Sequence, residues 1–405
     1  MKILHTADWH LGQRLCDFDR QEEHDHFLQW LLDTLKEEKV DALVVAGDVF
    51  DVHNPPNYAR KQYYNFLRKA ISYCNNIIIT GGNHDSPRNL DAPKELLEYL
   101  QVHVVGGCPE DLKEEVIEVK DKNDNVIGVV AAVPFLQERD IRKAVAGESY
   151  KERVERTQKG IFNHYHTIAE YIAAKYDTSK LPIIATGHLF AAGSMTSDSE
   201  KDIHIGNQGK VTAETFSEMF DYVALGHIHK PQLVNKLEHI RYCGSPIPLS
   251  FTEYKDDKQA LLIDFNEGKL SGIRVLPIPN YRKLLRVKGN MEKVTEKLLA
   301  LDSFEGKPTT WLEVQIELET FEADLEHQVR QFVADKNAEV LITRTEYKHR
   351  IKGLDEEMGN VSLDDLKPME VFLKRCDSRN VGGKQQKELV NTFNELLEWM
   401  EEEKD

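Results

Sequence analysis

The chain has no long hydrophobic run, no paired cysteines and no surplus of positive charge. No stretch approaches the roughly 18 apolar residues that a membrane-spanning helix needs, so no span is expected. The N-terminal "MKILHTADWH" carries Lys2 and a short apolar run, but Asp8 and His10 interrupt it too early for a signal-peptide core. A cytoplasmic protein is therefore expected. The five cysteines (Cys16, Cys74, Cys108, Cys243, Cys376) are scattered, odd in number and never in CxxC spacing. That argues against a disulfide framework or a structural zinc site and fits a reducing compartment. The formal net charge is −17, whereas a protein that passively coats nucleic acid is usually basic. An acidic chain that handles polyanions needs a local cationic device, such as a metal cluster or a basic partner.

What is present is enough apolar residue, 40% of 405, to bury the cores of two or three domains. Apolar runs at 2–8, 40–48, 76–83 and the "VHVVGG" that begins at 102 read as strands. They alternate with helical spacing at 26–39, 58–74 and 92–101. The alternation predicts β-α-β units with a mostly parallel sheet. Residues 115–135 read as a hairpin turning at "KDKNDN", 140–178 as helical, and 181–188, 222–229, 239–246 and 259–265 as further strands. The expected fold is α/β, with two packed sheets flanked by helices. A smaller α+β unit follows, with strands at 311–318 and 338–347 around a helix at 322–335. Beyond 348 charges dominate. "SLDD" opens a helix by capping-box logic, and Leu389, Phe393, Leu396, Leu397 and Met400 form one stripe. The expected boundaries are 1–275, 280–347 and 348–405.

The chemically able residues share one address, just after apolar strands: Asp8 and His10 in "TADWH", Asp48 in "AGDVFD", Asn83 and His84 in "GGNHD", His188 in "TGH", and His227 and His229 in "GHIH". Ligands of open α/β sheets sit at the carboxyl ends of strands. Two carboxylates, one amide and four imidazoles are too many for one octahedral ion with an open position. Two ions sharing a carboxylate account for them. Nitrogen and oxygen donors without sulfur suit Mn, Fe or Zn better than Ca or Cu(I). Two such ions about 3.5–4 Å apart clamp an in-line displacement at phosphorus. The other histidines, His24, His26, His164 and His166, read as surface residues.

The series D-x-H, GD, GNHD, GH and GHxH resembles the calcineurin-like metallophosphoesterases. "ILHTADWHLG", "VVAGDVFD", "PIIATGHL", "ALGHIH" and "YCGSPIPLSF" narrow the resemblance, over about residues 1–275, to their Mre-type DNA repair nucleases. The resemblance implies a metallophosphoesterase sandwich with a small α+β domain capping the DNA groove and a helical C-terminal tail. It also implies two divalent ions, manganese first, with magnesium, iron or zinc as other fits. Asp8, His10 and His229 would hold one ion, Asn83, His188 and His227 the other, and Asp48 would bridge them. His84 would face the scissile phosphate, with Asp85 orienting its ring. Where archaeal and eukaryotic relatives often carry a histidine three residues after the bridging aspartate, this chain has Asp51. The implied activity is an ATP-dependent 3'-5' exonuclease on double strands and an endonuclease on single strands and hairpins, serving repair, recombination and replication. The implied partners are an SMC-like ATPase docked on the tail helices and a second copy packed through 58–74 and 92–101. The competing reading is a phosphatase or small-molecule or nucleotide phosphodiesterase on the same metal core.

Overall fold

The computed structural model describes residues 1–143, 147–191, 211–301, 308–318 and 324–347. In the C-terminal segment it describes positions 369, 372, 373, 376, 386, 389, 390, 392 and 393. Strands β1 (Lys2–Thr6), β2 (Ala42–Ala46), β3 (Asn76–Thr80) and β4 (Val102–Val105) run parallel in one sheet. Gln259–Asn266 and Lys269–Pro277 extend that sheet antiparallel beside β1, making six strands. A second six-stranded sheet contains β5 (Val116–Lys120), β6 (Val126–Ala131), β7 (Ile183–His188) and β8 (Tyr222–Gly226), continued by Leu237–Tyr242 and Gln232–Val234. In it β6, β7 and β8 are parallel.

These strands read as continuous apolar runs because both of their faces are buried. Alternate residues divide between two cores. Ile3, Val44 and Ile78 of the first sheet join Val130, Ile184 and Ala224 of the second in one inner cluster. Leu4, Leu43, Val45, Ile77 and Ile79 face outward instead, against Phe27, Leu31 and Leu35 of helix α1 (Gln21–Glu38) and Tyr63, Phe66 and Leu67 of α2 (Asn57–Ala70). Helix α3 (Tyr150–Lys175) covers the second sheet with Ile161, Tyr165, Ile168 and Ile172. Each such buried side chain contributes roughly 1.5–3 kcal/mol. Helix α3 begins at a capping box: Ser149 accepts from the Glu152 N–H while the Glu152 carboxylate accepts from the Ser149 N–H. The sandwich expected from the sequence is therefore the one formed.

A three-stranded sheet follows, from Leu284–Asn290, Thr310–Leu318 and Ala338–Tyr347, with helices Met291–Leu299 and Leu325–Phe332. A buried ion-pair group ties it to α1. Glu23 accepts from Arg20 at 2.6 Å and from Arg282 at 3.0 Å, and both guanidinium groups lie over the Trp311 ring, at 5.6 and 4.2 Å. The chain falls into two compact units, Met1–Ile316 with Asp324–Arg344, and Glu317–Ala323 with Thr345–Asp405. In the second unit the rings of Phe372 and Phe393 stack at 4.1 Å and Cys376 is buried. The helix expected at "SLDD" and most of the 389–400 stripe lie outside the described residues. Among the described residues no helix is long and apolar enough to cross a membrane.

Three expectations need correction. The strands read as 2–8, 40–48 and 76–83 stop at Thr6, Ala46 and Thr80, so each was overrun by two or three residues. The helix read over 92–101 is only Lys94–Glu98, because Pro93 precedes it and the chain turns again before β4. His24 and His164 are buried, whereas His26 is exposed and His166 half-buried. His24 Nε2 donates to the Trp9 carbonyl at 2.9 Å, and His164 Nε2 meets Glu115 at 2.8 Å.

Burial has a consequence for acid stability. It pushes the rings of His5 and His24 down to about 3 from the ordinary 6.5. A depressed imidazole stays neutral in the fold and gains its proton only on unfolding. The stabilisation is complete above about pH 6.5 and is lost as pH falls toward 3, by about 1.4 kcal/mol per pH unit for each ring near pH 5. The urea midpoint of His5→Asn should therefore fall less steeply from pH 7 to pH 5 than that of the unaltered chain. Equal slopes would contradict this account.

Candidate metal centre

The parallel strands deliver their carboxyl ends to one edge of the sandwich. Asp8 and His10 follow β1, Asp48 follows β2, Asn83 and His84 follow β3, His188 ends β7, and His227 and His229 follow β8. The chain must leave each ladder at once to aim these side chains. Asp8 (φ 55°), His10 (47°), Asp48 (50°) and His227 (93°) all adopt left-handed backbone, a state uncommon for residues other than glycine and concentrated at functional sites. Cross-bonds hold it: the Asp8 N–H donates to the Gly47 carbonyl and the His10 N–H to the Asp48 carbonyl, each at 3.0 Å. Glycine is required where the two sheets touch. A Cβ on Gly226 would lie 1.9 Å from the Ala46 carbonyl oxygen, and one on Gly82 would lie 2.1 Å from Asp48 Oδ1.

All seven residues expected to hold metal come together, and all but Asn83 are nearly inaccessible. Asp8, His10 and His229 each bring a ligand atom within 4.8 Å of the others, as do Asp8, Asp48 and His188. Asp48 Oδ2 lies 3.5 Å from His10 Nε2 and 3.2 Å from His188 Nε2, so one carboxylate oxygen stands between two imidazoles. Asn83 Oδ1 lies 2.9 Å from His188 Nε2 and 3.2 Å from His227 Nδ1. The outer atoms of the same groups are already committed. His188 Nδ1 donates to the Ala46 carbonyl at 3.1 Å, and Asp8 Oδ1 accepts from the His227 N–H at 2.8 Å.

The donor set fits cations. Asp8 Oδ2 and His10 Nε2 are fully buried and have no hydrogen-bond partner. A buried polar atom left without a partner is costly and calls for an explanation. Burial raises the Asp8 carboxyl, against the pull of His188 and His229. Asp48 goes the other way: burial acts to raise it, but the charge and hydrogen bond of His188, with His10 and His84, hold it well below the carboxylate range. Two anionic ligands, an amide oxygen and imidazoles, of which His10, His188 and His229 have partners at their far nitrogens, form an oxygen and nitrogen set suited to first-row divalent ions.

His84 stands at the mouth of this cluster. It is 7% exposed, against 0–2% for Asp8, His10, Asp48, His188, His227 and His229. It too reaches within 4.8 Å of His10 and Asp48. Asp85, expected to orient the His84 ring, is bonded to the backbone. Both Asp85 oxygens are consumed by backbone N–H groups, those of Val49 (3.0 Å), Phe50 (2.9 Å) and Gly82 (2.9 Å). The His84 ring is held by Asp51 instead: its Nδ1 donates to the Asp51 carbonyl at 2.6 Å. Asp51 also pairs with His10, its Oδ1 lying 3.1 Å from His10 Nδ1. Sequence reading noticed Asp51 only as a departure from the family pattern. It missed Glu253 altogether, a buried carboxylate 3.7 Å from His229 Nδ1 and 2.6 Å from Lys258 Nζ. The only signal available was its place shortly after "YCGSPIPLSF".

A family model described as calcineurin-like phosphoesterase matches residues 1–231. Another, described as type 5 capsule protein repressor C-terminal domain, matches residues 280–380. The chain is 34% identical over 401 residues, 98% of each chain, to the SbcD subunit of the nuclease SbcCD of Escherichia coli (strain K12). The SbcD protein of Rhodobacter capsulatus is 36% identical over 314 residues, 75% of each chain. That of Bacillus subtilis (strain 168) is 29% identical over 413 residues, 100% of this chain and 99% of the relative.

Proposed function

The chain belongs to the calcineurin-like phosphoesterases and, within them, to the SbcD family, and on that premise we propose that it is the metal-dependent nuclease subunit of an SbcCD-type complex. The observation that carries the reading is Asp48 Oδ2, poised between His10 on one side and His188 on the other. Asp8, His10 and His229 would hold one divalent ion, Asn83, His188 and His227 a second, and Asp48 both, with manganese the first choice. When bound, such ions supply Lewis-acid activation of water and neutralise charge on the phosphodiester.

The chain's own residues do the rest. The Ala46 carbonyl fixes the His188 tautomer so that Nε2 faces the cluster. Asp51 and Glu253 lie behind His10 and His229 and set their rings. His84, outermost of the imidazoles, donates a proton from Nε2 to the leaving oxygen, its Nδ1 being committed to the Asp51 carbonyl.

DNA is the proposed substrate, cut as an ATP-dependent 3'-5' exonuclease on double strands and as an endonuclease on single strands and hairpins. The three-stranded sheet is the proposed cap, and a chain of bonds supports it. The Gln13 N–H donates to the His10 carbonyl, Arg20 donates to Gln13, and Arg20 shares Glu23 with Arg282. An SbcC-type ATPase is the proposed partner of the segment 348–405, and its basic surface would offset the −17 charge. A second copy is proposed to pack through 58–74 and 92–101, where Tyr64, Tyr73, Tyr99 and Leu100 are exposed.

With manganese, ATP and the ATPase partner, hairpin DNA should be cleaved and cyclic nucleotides left intact. Hydrolysis of the cyclic nucleotide alone would instead establish the small-substrate phosphodiesterase.

A further inference from the structure

A second cluster of ligating side chains shares no residue with the proposed nuclease centre. Cys108, in the loop after β4, Glu115, at the end of the Leu112–Glu115 turn before β5, and His164, midway along α3, each bring a ligand atom within 4.8 Å of the others. We propose that these three residues form a separate binding site for a thiophilic divalent cation of the zinc class, pinning α3 to the loop and turn between the two sheets.

Glu115 is the observation that points to a ligand. It is fully buried, its Oε2 meets His164 Nε2 at 2.8 Å, and its Oε1 has no hydrogen-bond partner. A plain Glu–His pair leaves that oxygen unexplained. It also leaves unexplained why a thiol sits beside a buried carboxylate. Burial pushes the Cys108 thiol up to about 12, and the charges of Glu115 and Asp140 push in the same direction. Burial likewise raises Glu115, against the hydrogen bond and charge of His164 and with Asp140 adding to the effect. A dication reverses both penalties, since a coordinating thiol gives up its proton outright. Thiolate and carboxylate together neutralise a dication, with His164 as the neutral third ligand. Three protein donors leave the fourth tetrahedral position to water. Cys108 gives access to solvent through a surface cleft of about 370 Å³ that Pro87, Asp91, Lys94 and Glu114 also line.

The donor chemistry separates this site from the nuclease centre. The centre has only nitrogen and oxygen donors, whereas a sulfur donor selects zinc or cobalt over magnesium, calcium and manganese. Sequence spacing gave no hint of it, because the ligands come from three elements and only one is a cysteine.

Cobalt(II) is the probe. The full-length chain, stripped of metal and titrated with cobalt, should develop a near-ultraviolet thiolate-to-cobalt charge-transfer band whose limiting intensity is that of one thiolate-bound cobalt per chain. The proposed nuclease ligands contain no sulfur and contribute nothing to that band. Cys108→Ser should lack the band, and His164→Gln should weaken cobalt binding at least tenfold. In the unaltered chain, zinc should slow alkylation of Cys108 by iodoacetamide at least tenfold, a measurement that needs no variant. No band at saturating cobalt, a band that persists in Cys108→Ser, or alkylation indifferent to zinc would each overturn the proposal.

Discussion

Replacing Asp48 with asparagine should lower hairpin cleavage by roughly 10³-fold or more, because the shared metal ligand proposed for it would support several kcal/mol of transition-state stabilisation. The change is nearly isosteric, so the loss can be assigned to charge and hydrogen bonding and not to packing. Asp48 uses both oxygens: Oδ1 accepts the His84 N–H at 2.8 Å, and Oδ2 stands between His10 and His188. An amide cannot satisfy both. If its oxygen keeps the bridging place, its NH2 meets the His84 N–H, donor against donor. If it turns over, the bridging place receives a group with no lone pair to offer. In either orientation the anionic charge of the cluster falls from the two carboxylates to Asp8 alone. After equilibrium dialysis against manganese, the variant should retain fewer ions per chain than the unaltered protein. Full metal content together with undiminished cleavage would remove Asp48 from the bridging role.

The sandwich could be read from the sequence for a physical reason. Its central strands are buried on both faces, so they appear as unbroken apolar runs. The functional residues follow those runs directly, beside glycines that the close approach of the two sheets demands. What could not be read was how the chain departs from each strand. Asp8, His10, Asp48 and His227 take left-handed backbone, which Asp and His adopt more readily than most residues but at too few positions for type alone to mark these. Bonds from the neighbouring loop impose it, and this is why the strand ends were overrun. Adjacency also misled. Asp85 follows His84, yet its carboxylate is the anchor of the backbone at Val49, Phe50 and Gly82. Its burial raises it to about 6, with the charge of Asp48 acting in the same direction and the three N–H bonds opposing. The groups that hold the imidazoles, Asp51 and Glu253, lie 41 and 24 positions from His10 and His229. The partners of buried His24 and His164 lie 15 and 49 positions away. Long-range pairing of single polar residues leaves no periodicity to detect.

His84→Ala separates the two kinds of imidazole in the cluster. Cleavage of DNA should fall by about 10²–10⁴-fold, the usual value of a positioned general acid, while metal content stays that of the unaltered chain. The substitution spares the local frame. The hydrogen bond to Asp48 comes from the His84 backbone N–H, which alanine retains, and Asp85 anchors the turn through the Gly82 N–H. What is lost is the ring alone, together with its bond to the Asp51 carbonyl. Two outcomes would tell against the assignment. An emptied metal site would make His84 a ligand, which its approach to His10 and Asp48 allows geometrically. Proton donation also predicts a selective loss. A nitrophenyl phosphodiester, whose phenolate departs without a proton, should be hydrolysed by the variant with a much smaller deficit than DNA, whose alkoxide needs one. An equal deficit on both substrates would mean that His84 stabilises phosphate charge and does not deliver the proton.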